Sequence, residues 1–153
     1  MDSRQPPPSV TLVYPAIGGR PIILAVVQNL IAGDYFLMQM LLDTGADQTC
    51  FPSQLASIFG HDNYYPGVVK DVLHGIGGVS TSYLHSVQVS LLDPQKSTQK
   101  KPAIAWTANE KAAVFVENLD CGFGLIGMDL IRQWKHLSFE PNKHGMMIRI
   151  VID

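Results

Sequence analysis

The sequence predicts a mostly-β chain with one or two short helices. Three observations lead there. Apolar runs are short and rich in β-branched residues, as in Ile22, Ile23, Val26 and Val27. Turn residues punctuate them at Gly33-Asp34, at Gly75-Ile76-Gly77-Gly78 and from Asn142 to Gly145. Between Ser82 and Leu92, a period of two places Val87, Val89 and Leu91 on one face, the pattern of a half-buried strand.

The elements follow in order. Residues 1–9 are polar and carry Pro6, Pro7 and Pro8, which predicts a flexible lead-in to a single domain over residues 10–153. Ile22 to Leu30 and Tyr35 to Leu42 are apolar runs joined by Gly33-Asp34, which reads as a β-hairpin. Asp43-Thr44-Gly45-Ala46-Asp47 interrupts the second run directly, and Cys50-Phe51-Pro52 follows. Ser53 to Phe59 predicts a short helix with Ser53 as its N-cap. After the turn-rich stretch from Gly60 to Gly67, Val68 to Leu73 is a strand leading into a glycine-rich hairpin tip, and Ser82 to Leu92 returns. Asp93 to Pro102 reads as an exposed loop. Ile104 to Trp106, Ala112 to Val116 and Leu125-Ile126 are short strands, the last ending at Gly127. Asp129 to Trp134 is the strongest helix signal, and Leu137 to Phe139 and Met146 to Ile152 close the chain.

Composition narrows the function. Hydrophobic residues make up 46% of the 153 and charged residues 16%, enough to build a core and too apolar for a disordered chain. A formal net charge of −2 and scattered Trp106 and Trp134 give no footprint for nucleic acid. Cys50 and Cys121 are too few for a disulfide framework and read as reduced thiols. The five histidines show no paired ligand spacing, so neither a metal nor a cofactor is expected. Gly122 to Gly127 matches G-x-G-x-x-G, but too little chain follows to complete a dinucleotide-binding unit. No secretory pattern opens the chain, and its longest apolar stretch, Ile22 to Val27, is far short of the ~20 residues that span a bilayer, so a soluble cytoplasmic protein without a membrane segment is expected.

Leu41-Leu42-Asp43-Thr44-Gly45-Ala46-Asp47 carries the chemistry. An ionisable residue directly after an apolar strand is costly to bury without partners. Thr44 supplies a hydroxyl, and Gly45 lets the backbone turn tightly against another chain. The pattern is that of a carboxylate fixed at a strand end and presented outward.

The sequence resembles the retropepsin-type aspartic proteases, the family of retroviral proteases and their bacterial and eukaryotic relatives. Three blocks carry the resemblance in order. Leu41 to Asp47 resembles the catalytic strand and loop. His74-Gly75-Ile76-Gly77-Gly78-Val79 resembles the flap. Gly124-Leu125-Ile126-Gly127-Met128-Asp129-Leu130-Ile131 resembles the strand that leads into the family's C-terminal helix. The resemblance implies an all-β acid protease barrel with one short C-terminal helix, one lobe per chain. It implies Asp43 as the catalytic carboxylate, Thr44 and Gly45 as the active-site loop, and Ala46, Asp47, Ile76, Gly77 and Gly78 as contacts to a peptide or protein substrate. One departure stands out. Retroviral enzymes usually carry Arg after the last glycine, paired with an acid like Asp47; here it is Met128, so Asp47 needs Arg132, backbone amides or substrate instead.

The reaction needs two carboxylates sharing one proton. This chain has one Asp-Thr-Gly, and Asp120-Cys121-Gly122 follows no apolar strand. A homodimer is therefore expected, with Asp43 meeting its twin across a two-fold axis. Met146 to Ile152 is expected either to interleave with a partner or to close the chain's own sheet. The rival reading keeps the fold without catalysis, as a peptide-binding or assembly module; a third is a processing enzyme within a polyprotein.

Overall fold

The computed structural model describes residues 8–31, 33–75, 78–98, 100–109, 113–117, 119 and 122–153. Twelve strands and one short helix are present among them. Hairpin chemistry sets the centre of the fold. β2 (Ile22–Asn29) and β3 (Tyr35–Leu42) pair antiparallel, from Gln28 opposite Tyr35 to Ile22 opposite Leu41. The turn uses Gly33 at φ 78°, a backbone region that L side chains rarely enter. Buried Asn29 secures it: its Oδ1 accepts from the Ile31 amide at 2.8 Å, and its Nδ2 donates to the Phe59 carbonyl.

The remaining strands are β1 (Val10–Pro15), β4 (Cys50–Pro52), β5 (Lys70–Gly75), β6 (Gly78–His85), β7 (Val87–Leu92), β8 (Ile104–Thr107), β9 (Ala113–Val116), β10 (Gly124–Ile126), β11 (His136–Asn142) and β12 (Gly145–Ile152). Nine form one sheet in the order β5-β6-β9-β4-β10-β3-β2-β7-β8, and three form another, β1-β12-β11. The two end strands of the larger sheet share no ladder, so the described strands close no barrel.

Both sheets feed one core. Ile23, Ala25, Val27, Met40, Val87, Val89 and Leu91 enter from the large sheet, and Leu12, Ile148, Ile150 and Ile152 from the small one. Each of these side chains larger than Ala25 stabilises the fold by about 1.5–3 kcal/mol before entropy is counted. Phe51 stacks on Phe115 at 5.2 Å, and Phe59 meets both edge-on. Tyr14 crosses between the sheets, donating its hydroxyl to the Leu92 carbonyl, and burial raises its pKa above the ordinary tyrosine value.

Several sequence expectations change. β1 was not expected; it pairs along its whole length with β12. Ser82 to Leu92 is two strands, because β6 pairs with β9 whereas β7 pairs with β2, and the chain redirects at Ser86. Ser53 to Phe59 is a single 3-10 turn, Ser53–Leu55, followed by turns, with Pro52 rather than Ser53 at the N-cap. Gly60 at φ 79° ends it. The C-terminal helix α1 runs Met128–Ile131, one turn only. β12 lies between β1 and β11, so both of its edges are hydrogen-bonded within the chain. It is the central strand of the chain's own sheet, not a free strand awaiting a partner. No helix among the described residues is long and apolar enough to cross a membrane.

Candidate active site

β10 is inserted between β3 and β4, parallel to β3 and antiparallel to β4. The chain from Asp43 to Thr49 leaves β3 and returns as β4, so it must cross over the end of β10. Asp43 continues the ladder by donating its amide to the Ile126 carbonyl at 2.9 Å. Its half-buried side chain accepts at Oδ1 from the Gly45 amide at 3.0 Å, and the Ala46 amide closes a turn on the Asp43 carbonyl at 3.2 Å. Thr44 and Gly45 are exposed beside it. A Cβ at position 45 would sit 3.3 Å from Asp43 Oδ1, so glycine keeps that carboxylate uncrowded.

Beyond the turn, the loop is fastened to α1. The Ala46 carbonyl accepts from the Met128 amide at 2.7 Å, and the Asp47 carbonyl from the Asp129 amide at 3.0 Å. Thr49 is buried and doubly used: its amide and hydroxyl donate to Asp129 Oδ1 at 2.9 and 2.8 Å, while its Oγ1 accepts from the Gly127 amide at 3.1 Å. Asp129 Oδ1 also accepts from the Leu130 amide at 2.9 Å. Asp129 is an acid in the first turn of α1, and its larger task is to clamp Thr49. Nothing at the sequence level singled out Thr49, whose partners lie about eighty residues away.

Asp47 is exposed. Arg132, one of its expected partners, donates Nε to the Met128 carbonyl at 2.9 Å instead, and no ion pair joins Arg132 to Asp47 among the described residues. The two residues share a cleft of about 420 Å³ with Gln48, Thr49, Leu84, Val114 and Asp129. The β5–β6 hairpin pairs Gly75 with Gly78 at its tip. Ile76 and Gly77, expected in the flap, lie outside the described residues. In ladder order β6, β9, β4 and β10 stand between β5 and β3, so the hairpin and Asp43 belong to different parts of the sheet.

A strand-end Asp-Thr-Gly loop strapped across an inserted strand defines a retropepsin-like chain of the aspartic protease class. The family described as retroviral aspartyl protease matches over residues 17–137, and the chain belongs to that family. Among solved structures it is similar to a retropepsin-like aspartic protease from Rickettsia conorii, at 16% identity and a TM-score of 0.57 over 95% of this chain and 91% of that one. It is also similar to an inhibitor-complexed EIAV protease, at 14% identity and a TM-score of 0.46 over 74% and 86% of the two chains. No match is found among curated protein sequences. The first likeness shows the fold; the family match brings aspartic-protease-type chemistry in general.

Proposed function

We propose that the protein is an aspartic endopeptidase whose dyad forms between Asp43 of two copies of the chain. The observation that carries the reading is the setting of Asp43: a half-buried carboxylate directly after the buried end of β3, where Met40 and Leu42 enter the core, held through Oδ1 by the Gly45 amide. Two such groups brought together cannot both ionise, so one keeps its proton while the other loses it. The ionised member takes a proton from water, and the resulting nucleophile attacks the scissile carbonyl carbon. The protonated member donates to the carbonyl oxygen, and the leaving nitrogen is protonated as the C–N bond breaks. No covalent intermediate forms on the protein.

In this reading Thr44 and Gly45 brace the dyad across the two-fold axis. Ala46 and Asp47 contact an extended peptide added as a strand, with Ile76, Gly77 and Gly78 covering it. The exposure of Asp47 supports a role in contacting substrate. Because β12 is flanked on both sides, a dimer has to use other surfaces; the outer edges of β1 and β11 bear no ladder among the described residues.

The test combines assembly with chemistry. Solution mass across protein concentration should rise from monomer to dimer in step with cleavage of a peptide library in mild acid. Asp43→Asn should dimerise and cleave nothing. Cleavage retained by that variant refutes the role of Asp43. A dimer of the parent chain that cleaves no peptide would favour the rival, a retropepsin-fold module that binds peptides without cutting them.

A further inference from the structure

Two histidines outside the Asp43 loop meet ring to ring. His61 opens the loop that follows the 3-10 turn, and His85 ends β6. Their ring centroids are 4.7 Å apart with the planes 19° from parallel. His61 Nε2 donates to the Ser86 carbonyl at 3.2 Å. His85 Nε2 donates to Asn63 Oδ1 at 2.6 Å, and Asn63 Nδ2 donates to the Ser53 carbonyl at 3.2 Å. Both acceptors are carbonyl-type oxygens, so each ring needs only one N–H, and the contact is complete with both rings neutral. His85 is buried, edge-on to Phe115 at 5.0 Å.

We propose that His61 and His85 form a pH-operated latch, which holds the 60–69 loop to the base of the β5–β6 hairpin at neutral pH and lets it go in mild acid. The loop runs straight into β5, and the Val69 carbonyl accepts from the Leu84 amide at 3.0 Å. The stacked rings thus grip the point where both hairpin strands leave the body of the sheet. Protonating both places two cations in face-to-face contact with one of them buried, an arrangement that is unfavourable unless an anion intervenes.

The surrounding charges leave the latch poised for this. Burial lowers the pKa of His85, the nearby His61 lowers it further, and Asp62 on the loop opposes both. The other titratable groups nearby are Tyr65, which lines a cleft with both histidines, Tyr64, packed against Tyr83 at 6.2 Å, Tyr83 itself, and Glu117, whose carboxylate accepts from the Tyr83 hydroxyl at 2.5 Å. That carboxylate is already engaged. With a depressed folded-state pKa, the latch's contribution is fully present above the ordinary histidine value of about 6.5 and is lost as pH falls through the lower folded value. If the Asp43 reading holds, release would fall in the acid range where a shared-proton dyad works; the latch itself does not depend on that reading.

Hydrogen exchange tests it in the full chain carrying Asp43→Asn, so that self-cleavage plays no part. Protection factors, corrected for the intrinsic pH dependence of exchange, are compared at about pH 7.5 and about pH 5. The His61, Tyr65 and Val68 amides, which donate to Ala56, Asp62 and Tyr65 carbonyls, should lose about tenfold or more of their protection while β2 amides keep theirs. His85→Gln retains a side-chain N–H for Asn63 but cannot ionise, so its loop should be insensitive to pH. His61→Gln, which removes the repulsion from the other side, should shrink the loss. Equal loop protection at both pH values in the parent overturns the latch, and so does an undiminished loss in either glutamine variant.

Discussion

Gly127→Ala is the sharpest probe of the strap over β10. The residue joins β10 to α1 with φ −93° and ψ −176°, angles open to alanine, so any effect is steric rather than conformational. A Cβ there would lie 2.5 Å from the Gln48 carbonyl carbon, 2.6 Å from its oxygen and 2.9 Å from the Ala46 oxygen. All three are backbone atoms and cannot swing aside. Reaching an ordinary contact of 3.4 Å requires the 46–48 segment to retreat by about 0.9 Å. That segment also carries the bonds from the Met128 and Asp129 amides, so the retreat stretches them as well. Overpacking of this kind costs about 1–3 kcal/mol, and for a chain of this size each kcal/mol lowers Tm by about 2–4 °C. Because the displaced backbone begins three residues after Asp43, kcat/KM for a peptide substrate should fall on the order of a hundredfold. Urea denaturation and peptide hydrolysis measure the two effects separately. Gly122→Ala, exposed and with nothing within 4 Å of the added carbon, is the control and should change little. If Gly127→Ala matches that control in its denaturation midpoint, the strap does not bear on Gly127 and the reasoning fails.

Thr49→Val keeps the shape but deletes a hydroxyl that donates to Asp129 and accepts from Gly127. A bond to a charged partner is worth about 1.5–3 kcal/mol, so the urea midpoint should drop accordingly, and an unchanged midpoint would show that the clamp is idle. Phe51→Ala empties the centre of the aromatic cluster and should cost about 3–5 kcal/mol by the same measurement. Tyr83 offers a pH test: its hydrogen bond to Glu117, with burial adding to it, pushes its pKa up to about 12. Since the unfolded chain ionises this group near the ordinary value of about 10, stability should fall as pH rises from there towards the folded value. Tyr83→Phe should flatten that part of the fall, read from denaturation midpoints at alkaline pH, and an equally steep decline in the variant would remove Tyr83 from the account.

The parts legible in the sequence are those whose causes are local. The β2–β3 hairpin declares itself through apolar runs and Gly33-Asp34, and β10 through Leu125-Ile126-Gly127. Asp43 stands out because a charge directly ends an apolar run. What stayed hidden is held by distant partners. β1 is a six-residue run ending in Pro15, and its ladder is made with the other end of the chain. The break at Ser86 comes from β6 and β7 having different neighbours, which alternation cannot express. Thr49 looks like an ordinary loop polar residue and Asn29 like a polar interruption of an apolar run, yet both are buried and satisfied through the fold. The single turn of α1 does two things: it supplies amides to the Asp47 and Ala46 carbonyls and buries Leu130 and Ile131 in the core.

The central place of β12 separates two events that an exchanged strand would fuse. A chain that completes its own terminal sheet lends no strand of it to a second copy, so in the proposed dimer pairing is not a step in building that sheet. Dilution would then yield intact single chains, each holding half of the proposed chemistry in reserve. On the proposed reading, activity would be switched on by crowding copies together, and its rate would report how many of them are in one place.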